Sequence, residues 1–276
     1  MSLAAQSADH LIDRLGITKR SDLLLLEEIA WTRGILVKEG LLEGSEARLV
    51  MAKGRGVITI SSSIQDLRRK RFSIAHELGH FELHRAQRGL SLCLSEDIRD
   101  GVSRTAGQDL EQEANEFASA LLLPYRFFAP LCKNQEPSLD YIAHLANDFS
   151  TSLTATALRY LNFCEEPVAI VYSHDNRIQW FQGSKDFETT REDLEFFIDV
   201  RARLDRSSVA ATMFQGRNLP SKMSRVLASS WFTSGRYEQN ATILEHSYFM
   251  PTYNATLTLL WIDEDIENED EELTED

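Results

Sequence analysis

The sequence predicts an α+β fold, in which an N-terminal domain of helices and a small antiparallel sheet precedes a smaller α+β domain. Three observations support this. Apolar residues recur at helical spacing, short strand-like runs are separated by glycine-bearing turns, and the pattern of elements changes near residue 164. With 276 residues, the chain is long enough for two modest domains.

The first half is predicted to combine long helices with three short strands. Apolar spacing predicts helices over 9–33, 63–86 and 108–123, and the last ends before Pro124 as helices tend to do. A polar loop is expected from about 87 to 107. The predicted strands are 34–38, 46–52 and 56–61. The third strand is expected at a sheet edge, where an extended substrate peptide could pair with it through backbone hydrogen bonds.

Residues 138–163 are predicted to form two short helices similar to a helix-turn-helix, with Ser150 capping the second. The span 142–161 holds only His144 and Arg159 as basic residues. This is a poor surface for phosphate, so the pattern favours a structural role or a protein contact over DNA binding.

The second half is predicted to be mainly antiparallel. Strands are expected at 167–174 and 177–182, joined by a turn at Asp175-Asn176. A second hairpin is expected around Pro251. Its strands are 241–249 and 254–262, and further helices are predicted over 191–205 and 221–232.

The composition narrows the classes of function. The formal net charge of −14 owes most to a tail at 263–276, in which ten residues are acidic and none is basic. Such a tail should be disordered, and an acidic chain argues against direct DNA binding. Three scattered cysteines, no signal peptide and no long apolar run predict a cytoplasmic protein that does not cross a membrane.

The segment 68–84, RRKRFSIAHELGHFELH, carries His76 and His80 four residues apart. On a helix this spacing places both imidazoles on one face, where they can bind one metal ion. Glu77 lies beside them and can accept a proton from a water that zinc has acidified. The pattern therefore predicts a zinc site with Glu77 as general base. The preceding basic run, residues 68–71, is expected to be a solvated helix face. The alternatives are a site for an acidic substrate, a nucleic-acid contact and a docking site for the acidic tail.

A catalytic zinc site needs a third protein ligand, and the helix predicted over 108–123 offers candidates. Glu111 shares a stripe with Ala114 and Asn115, and the small residues of that stripe would allow close packing against the first helix. Glu111 is therefore the favoured ligand. Asn115 is expected to form a hydrogen bond with a ligand histidine and so orient it.

Three further residues near the motif invite an interpretation. Glu113 is the alternative third ligand, although its helical position favours a solvated face. His84, one turn beyond His80, is expected to support the site without binding metal. Gly79 is a poor helix former whose missing side chain would leave room for a packed helix or a substrate.

The motif HELGHFELH, followed by EQEANEFASALLLP, resembles the ImmA/IrrE family of bacterial metallopeptidases over about residues 56–126. This resemblance implies a zincin-like domain that binds zinc, which another divalent ion such as Mn²⁺ could replace. The implied ligands are His76, His80 and Glu111, and the implied base is Glu77.

Longer family members also resemble this chain in having a helical segment and a C-terminal GAF-like domain. The expected organisation is a metallopeptidase domain at 1–130, the helical segment at 131–163, a GAF-like domain at 164–262 and the acidic tail. By the same resemblance, the expected substrate is a helix-turn-helix repressor whose cleavage derepresses stress-response or mobile-element genes. The alternative is a non-catalytic regulator, stabilised by zinc, that binds a partner protein or DNA.

Overall fold

The structure, a computed structural model, describes residues 2–84, 90–94, 106–216 and 222–263. The predicted acidic tail lies outside these residues except for Asp263. Contacts divide the chain into two compact units, Met1–Pro130 with Ala146–Ala155, and Leu131–Leu145 with Thr156–Asp276. Both units contain helices and strands, which confirms the α+β prediction. The segment 131–163 is thus shared between the units, and the functional domain boundaries stay predictions. None of the helices in the described ranges is both long and apolar enough to span a bilayer.

Two helices open the N-terminal unit, α1 at Leu3–Arg14 and α2 at Leu26–Thr32, with a 3-10 helix at Arg20–Leu24 between them. The single helix predicted over 9–33 is therefore wrong. Gly16 ends α1 with a φ of +63°, a left-handed conformation that glycine adopts without steric cost. The apolar periodicity continues across the break because both helices bury their apolar faces in the same core.

Four strands form the sheet of this unit. They are β1 at Ile35–Gly40, β2 at Ser45–Ala52, β3 at Arg55–Ser61 and β4 at Leu90–Leu94. The order is β1-β3-β2-β4. The sheet is mixed rather than purely antiparallel, because two chain reversals between β1 and β3 leave these neighbours parallel. β3 is interior, so the predicted edge position is wrong, and β4 lies where a loop is predicted.

Helices α3, Leu67–His84, and α4, Ala106–Leu122, pack against each other, and α3 also packs on β2 and β3. Gly79 lies at the closest approach of the two helices. A Cβ built there would lie 3.1 Å from Cβ and Cδ1 of Phe117 and 3.2 Å from the Cα of Ala114. The missing side chain of Gly79 therefore makes room for α4. This confirms the predicted role in helix packing, one of the two roles considered for this glycine.

The basic run at the start of α3 is engaged within its own unit. Three of its side chains contact side-chain acceptors: Arg68 with Asn147, Arg69 with Glu46, and Lys70 with Glu39. Arg71 is buried and donates to three backbone carbonyls, those of Leu23, Leu24 and Ser150. The run therefore ties segments of the unit together. The prediction of a solvated helix face is correct for Arg68 and Lys70, whose contacts are exposed, and wrong for buried Arg71.

A short helix α5, Tyr125–Phe128, follows α4, and α6, Leu139–Phe149, and α7, Leu153–Leu161, come next. The break at Ser150 is correct, but its predicted role as a cap is wrong. Ser150 has a φ of +52° and ends α6. The Oγ of Ser152 accepts a hydrogen bond from the backbone N–H of Ala155 at 3.1 Å and caps α7 instead.

The C-terminal unit contains a five-stranded antiparallel sheet with the order β6-β5-β9-β8-β7. The strands are β5 Val168–His174, β6 Arg177–Gly183, β7 Ser224–Leu227, β8 Thr242–Met250 and β9 Ala255–Trp261. The β5–β6 and β8–β9 hairpins confirm the predicted pairs, and Asp175 and Asn176 both adopt the positive φ that a type I′ turn requires.

The helices of this unit differ from the prediction. The structure has α8 at Lys185–Asp193 and α9 at Val209–Met213. The predicted helix over 191–205 is wrong because Glu195 and Arg201 adopt positive φ, which a helix does not permit. The predicted helix over 221–232 is also wrong, since its described residues hold β7 and a 3-10 turn.

A buried carboxylate joins α9 to β8. Glu245 accepts hydrogen bonds from the backbone N–H groups of Val209 and Ala210, at 3.0 and 2.7 Å. It also accepts from Nε1 of Trp231 at 2.9 Å and from Oγ of Ser247 at 2.8 Å. Burial raises the pKa of Glu245 above its ordinary value, although these four donors favour the charged form.

Candidate metal centre

Helix α3 carries the two predicted histidine ligands and the predicted base. His76 and His80 stand one turn apart, with ring centroids 4.7 Å from each other. Both rings are buried, and so is Glu77. Glu77 lies three residues before His80, so the two side chains are neighbours on the helix surface.

The predicted third ligand comes from α4. Oε2 of Glu111 lies 3.1 Å from Nε2 of His76 and 3.2 Å from Nε2 of His80. One ligand atom from each of the three residues lies within 4.8 Å of the other two, and within the described ranges no other His, Cys, Asp and Glu residues form such a group. Two imidazoles and one carboxylate that converge on one point match the three protein ligands of a common catalytic zinc site, whose fourth position is taken by water or substrate.

The charge of Glu111 suits a metal ligand. Burial alone would raise the pKa of this carboxyl, but the hydrogen bonds and positive charge of His76 and His80 hold it well below its ordinary value. Glu111 is therefore ionised, and its side chain is 14% exposed. A carboxylate that is already deprotonated can bind a cation without first losing a proton.

Asn115 lies where the sequence predicts it, behind His76. Its Oδ1 is 2.9 Å from Nδ1 of His76. An amide oxygen only accepts hydrogen bonds, so this contact requires the proton of the imidazole on Nδ1. Nε2 of His76, which faces Glu111, is then the nitrogen that can bind a metal once it releases the proton that it shares with the carboxylate.

His84 and Glu113 form a second contact behind the cluster. Nδ1 of His84 lies 3.0 Å from Nδ1 of His80, and Nε2 of His84 lies 2.8 Å from Oε2 of Glu113. Glu113 is therefore placed neither among the three converging residues nor on a purely solvated face. Its helical position alone could not reveal this, because the contact depends on how α4 is rotated against α3.

The comparisons with known proteins agree with this geometry. Residues 32–160 match the Peptidase_M78 family model, described as an IrrE N-terminal-like domain. Among solved structures, a Mycobacterium tuberculosis transcriptional regulator is similar, with a TM-score of 0.59 and 18% identity over 94% of this chain and 75% of that chain. At that identity the likeness concerns the fold. No curated protein matches the chain.

The matched residues include α3 and α4, which together supply every residue of the metal cluster. Over residues 32–160 the chain is therefore similar to the IrrE N-terminal-like domain that the Peptidase_M78 family model describes.

Proposed function

We propose that the protein is a zinc-dependent endopeptidase. The observation that carries this proposal is the convergence of His76, His80 and Glu111 within 4.8 Å, with Glu77 buried on the same helix as the histidines. Zinc is the proposed metal, since two imidazoles and a carboxylate form a common catalytic zinc set. Mn²⁺ accepts similar ligands and is a possible replacement.

Zinc held by these residues would supply a Lewis acid that acidifies a water molecule and polarises the scissile carbonyl. Glu77 is the proposed general base. Its carboxylate would take the proton of the attacking water and then deliver it to the amine of the departing peptide. The burial of Glu77 supports this role because a carboxylate shielded from water interacts more strongly with a proton donor than an exposed one does.

The proposed substrate is a helix-turn-helix transcriptional repressor. This rests on the resemblance to ImmA/IrrE peptidases, and the regulator-like fold of the structural neighbour is compatible with it. Cleavage would relieve repression of stress-response or mobile-element genes. The scattered cysteines suit a reducing compartment, so we place the reaction in the cytoplasm.

The test compares the parent protein with Glu77→Gln, and uses Glu116→Gln as a matched control on α4. Zinc content and cleavage of candidate helix-turn-helix repressors are measured for all three proteins. We expect about one zinc ion in each protein. Glu77→Gln should lose at least about a hundredfold in cleavage rate, because a general base contributes that much or more. Full activity in Glu77→Gln would exclude this residue as the base.

A non-catalytic, zinc-stabilised regulator is the alternative function, and the neighbour's description as a transcriptional regulator is the observation that favours it. The basic run at 68–71 gives this alternative little support as a DNA surface, since all four side chains contact acceptors within their own unit. Zinc in every variant, with no cleavage by any of them, would favour the regulator.

A further inference from the structure

We propose that Glu113 and His84 are positioning residues that fix the orientation and proton of the metal ligand His80. This inference rests on the proposed metal site. It adds a chain of hydrogen bonds that runs from Glu113 through His84 to His80, and we name these three residues the relay.

The relay has close contacts throughout and leads from the buried site to the surface. Nδ1 of His80 lies 3.0 Å from Nδ1 of His84, and Nε2 of His84 lies 2.8 Å from Oε2 of Glu113. The side chain of His84 is only 2% exposed, whereas that of Glu113 is 54% exposed. His84 is therefore a buried residue, and its Nε2 contacts Oε2 of the partly exposed carboxylate of Glu113.

The chemistry of the three groups sets the direction of the chain. A carboxylate only accepts hydrogen bonds, so the 2.8 Å contact requires a proton on Nε2 of His84. In its neutral form, His84 then has a lone pair on Nδ1 and accepts from His80. The proton of His80 accordingly lies on Nδ1, and its Nε2, which lies 3.2 Å from Oε2 of Glu111, is the nitrogen that remains for the metal. The relay thus selects the tautomer of His80 that can bind the metal.

The two ligand histidines are therefore supported in different ways. His76 donates from Nδ1 to a neutral amide, that of Asn115. His80 donates to a second imidazole that is itself bonded to a carboxylate. A charged partner at the end of the chain strengthens each hydrogen bond in it and makes the ligand nitrogen more basic.

Two helices supply both the ligands and their supports. His76, His80 and His84 recur every four residues on α3, and Glu111 and Glu113 come from the same turn of α4. Glu113 is thus carried by the helix that carries the third ligand. A rotation of α4 that moves Glu111 away from the histidines would also break the contact with His84.

The test measures zinc affinity by competition with a chelator and the histidine tautomers by ¹⁵N NMR of the zinc-loaded full-length protein. The variants are Glu113→Leu, Glu113→Gln and, as the matched control, Glu116→Leu. Glu116 lies on the same helix, and the acceptor bond that it makes is to Gln112 at 3.3 Å.

We expect Glu113→Leu to weaken zinc binding about tenfold, as loss of a group behind a metal ligand does. Glu113→Gln keeps an acceptor oxygen and should lose only about threefold, because a neutral hydrogen bond is roughly half as strong as a charge-assisted one. The NMR spectra should show the Nδ1–H form of His80 and the Nε2–H form of His84 in the parent protein.

Two outcomes would overturn the relay. One is a Glu113→Leu protein that binds zinc as tightly as the Glu116→Leu control. The other is a neutral His84 that carries its proton on Nδ1. Neither measurement uses peptide cleavage, so the relay and the peptidase can fail separately. A zinc-bound protein with the expected tautomers that cuts no substrate would count against the peptidase alone.

Discussion

Gly79→Ala tests whether the metal site depends on the close contact of α3 and α4. The added methyl group would lie 3.1 Å from two side-chain carbons of Phe117 and 3.2 Å from the Cα of Ala114. Ordinary contacts between carbon atoms are about 3.5–4.0 Å. Phe117 is fully buried, and the Cα of Ala114 is backbone, so neither neighbour can swing away.

Two effects of opposite sign decide the outcome. Alanine is better than glycine in a helix by about 1 kcal/mol. Overpacking a close-packed interior costs about 1–3 kcal/mol. We expect the free energy of unfolding to fall by up to about 2 kcal/mol, because the overlap involves three carbon atoms that are held in place. Separation of the helices would also move Glu111, which precedes Ala114 by one turn, so zinc affinity should fall.

Urea unfolding and chelator competition measure the two effects. A double-mutant cycle with Phe117→Ala provides the control, since alanine has no Cδ1 atom and relieves part of the overlap. The destabilisation by Gly79→Ala should shrink by about 0.5 kcal/mol or more in that background. A Gly79→Ala protein that is about 1 kcal/mol more stable than the parent, with unchanged zinc affinity, would refute the reasoning.

Two further predictions follow from single contacts. Asn115→Leu removes the acceptor for Nδ1 of His76 and should weaken zinc binding about 10–100-fold. Asn115→Asp keeps an acceptor oxygen and should bind zinc as the parent does. Equal zinc affinities of the two variants in chelator competition would contradict this prediction. Glu245→Leu leaves buried donors without their acceptor and should lower the free energy of unfolding in urea by about 3 kcal/mol or more, at about 1–3 kcal/mol for each orphaned donor. Because the pKa of Glu245 is raised in the folded state, its contribution to stability is fully present below about pH 4.3 and is lost as pH rises through the folded pKa. Between about pH 4.3 and the folded pKa of Glu245, the free energy of unfolding should fall more with rising pH in the parent than in Glu245→Leu. Parallel pH profiles of the two proteins would contradict the raised pKa of Glu245.

The metal cluster could be predicted because it depends on short-range spacing. The four-residue repeat of His76 and His80 fixes their common face on any helix, and Glu111 follows from the small-residue stripe that it shares with Ala114. The structure brings these predicted ligands together at 3.1 and 3.2 Å. The two hairpins of the second half could be predicted for a similar reason, since the residues of their turns act locally.

The errors arise where the tertiary structure overrides the local pattern. In 191–205, the apolar residues Leu194, Phe197 and Ile198 have a spacing compatible with a helix, but the positive φ of Glu195 and Arg201 produces an irregular segment in which Phe197 is exposed. The interior position of β3 depends on the pairing of β1 with it, a long-range choice that strand propensity does not encode. The contact of Glu113 with His84 depends likewise on how two helices are rotated against each other.

The hydrogen bond from Arg71 to the carbonyl of Ser150 has a consequence for synthesis on the ribosome. The N-terminal unit includes Ala146–Ala155, which are translated only after Leu131–Leu145 of the other unit. Domains of a nascent chain generally fold as units, with the N-terminal one first. Here the first unit cannot close until part of the second has been made. The shortest nascent chain that contains the whole N-terminal unit therefore extends to about residue 155.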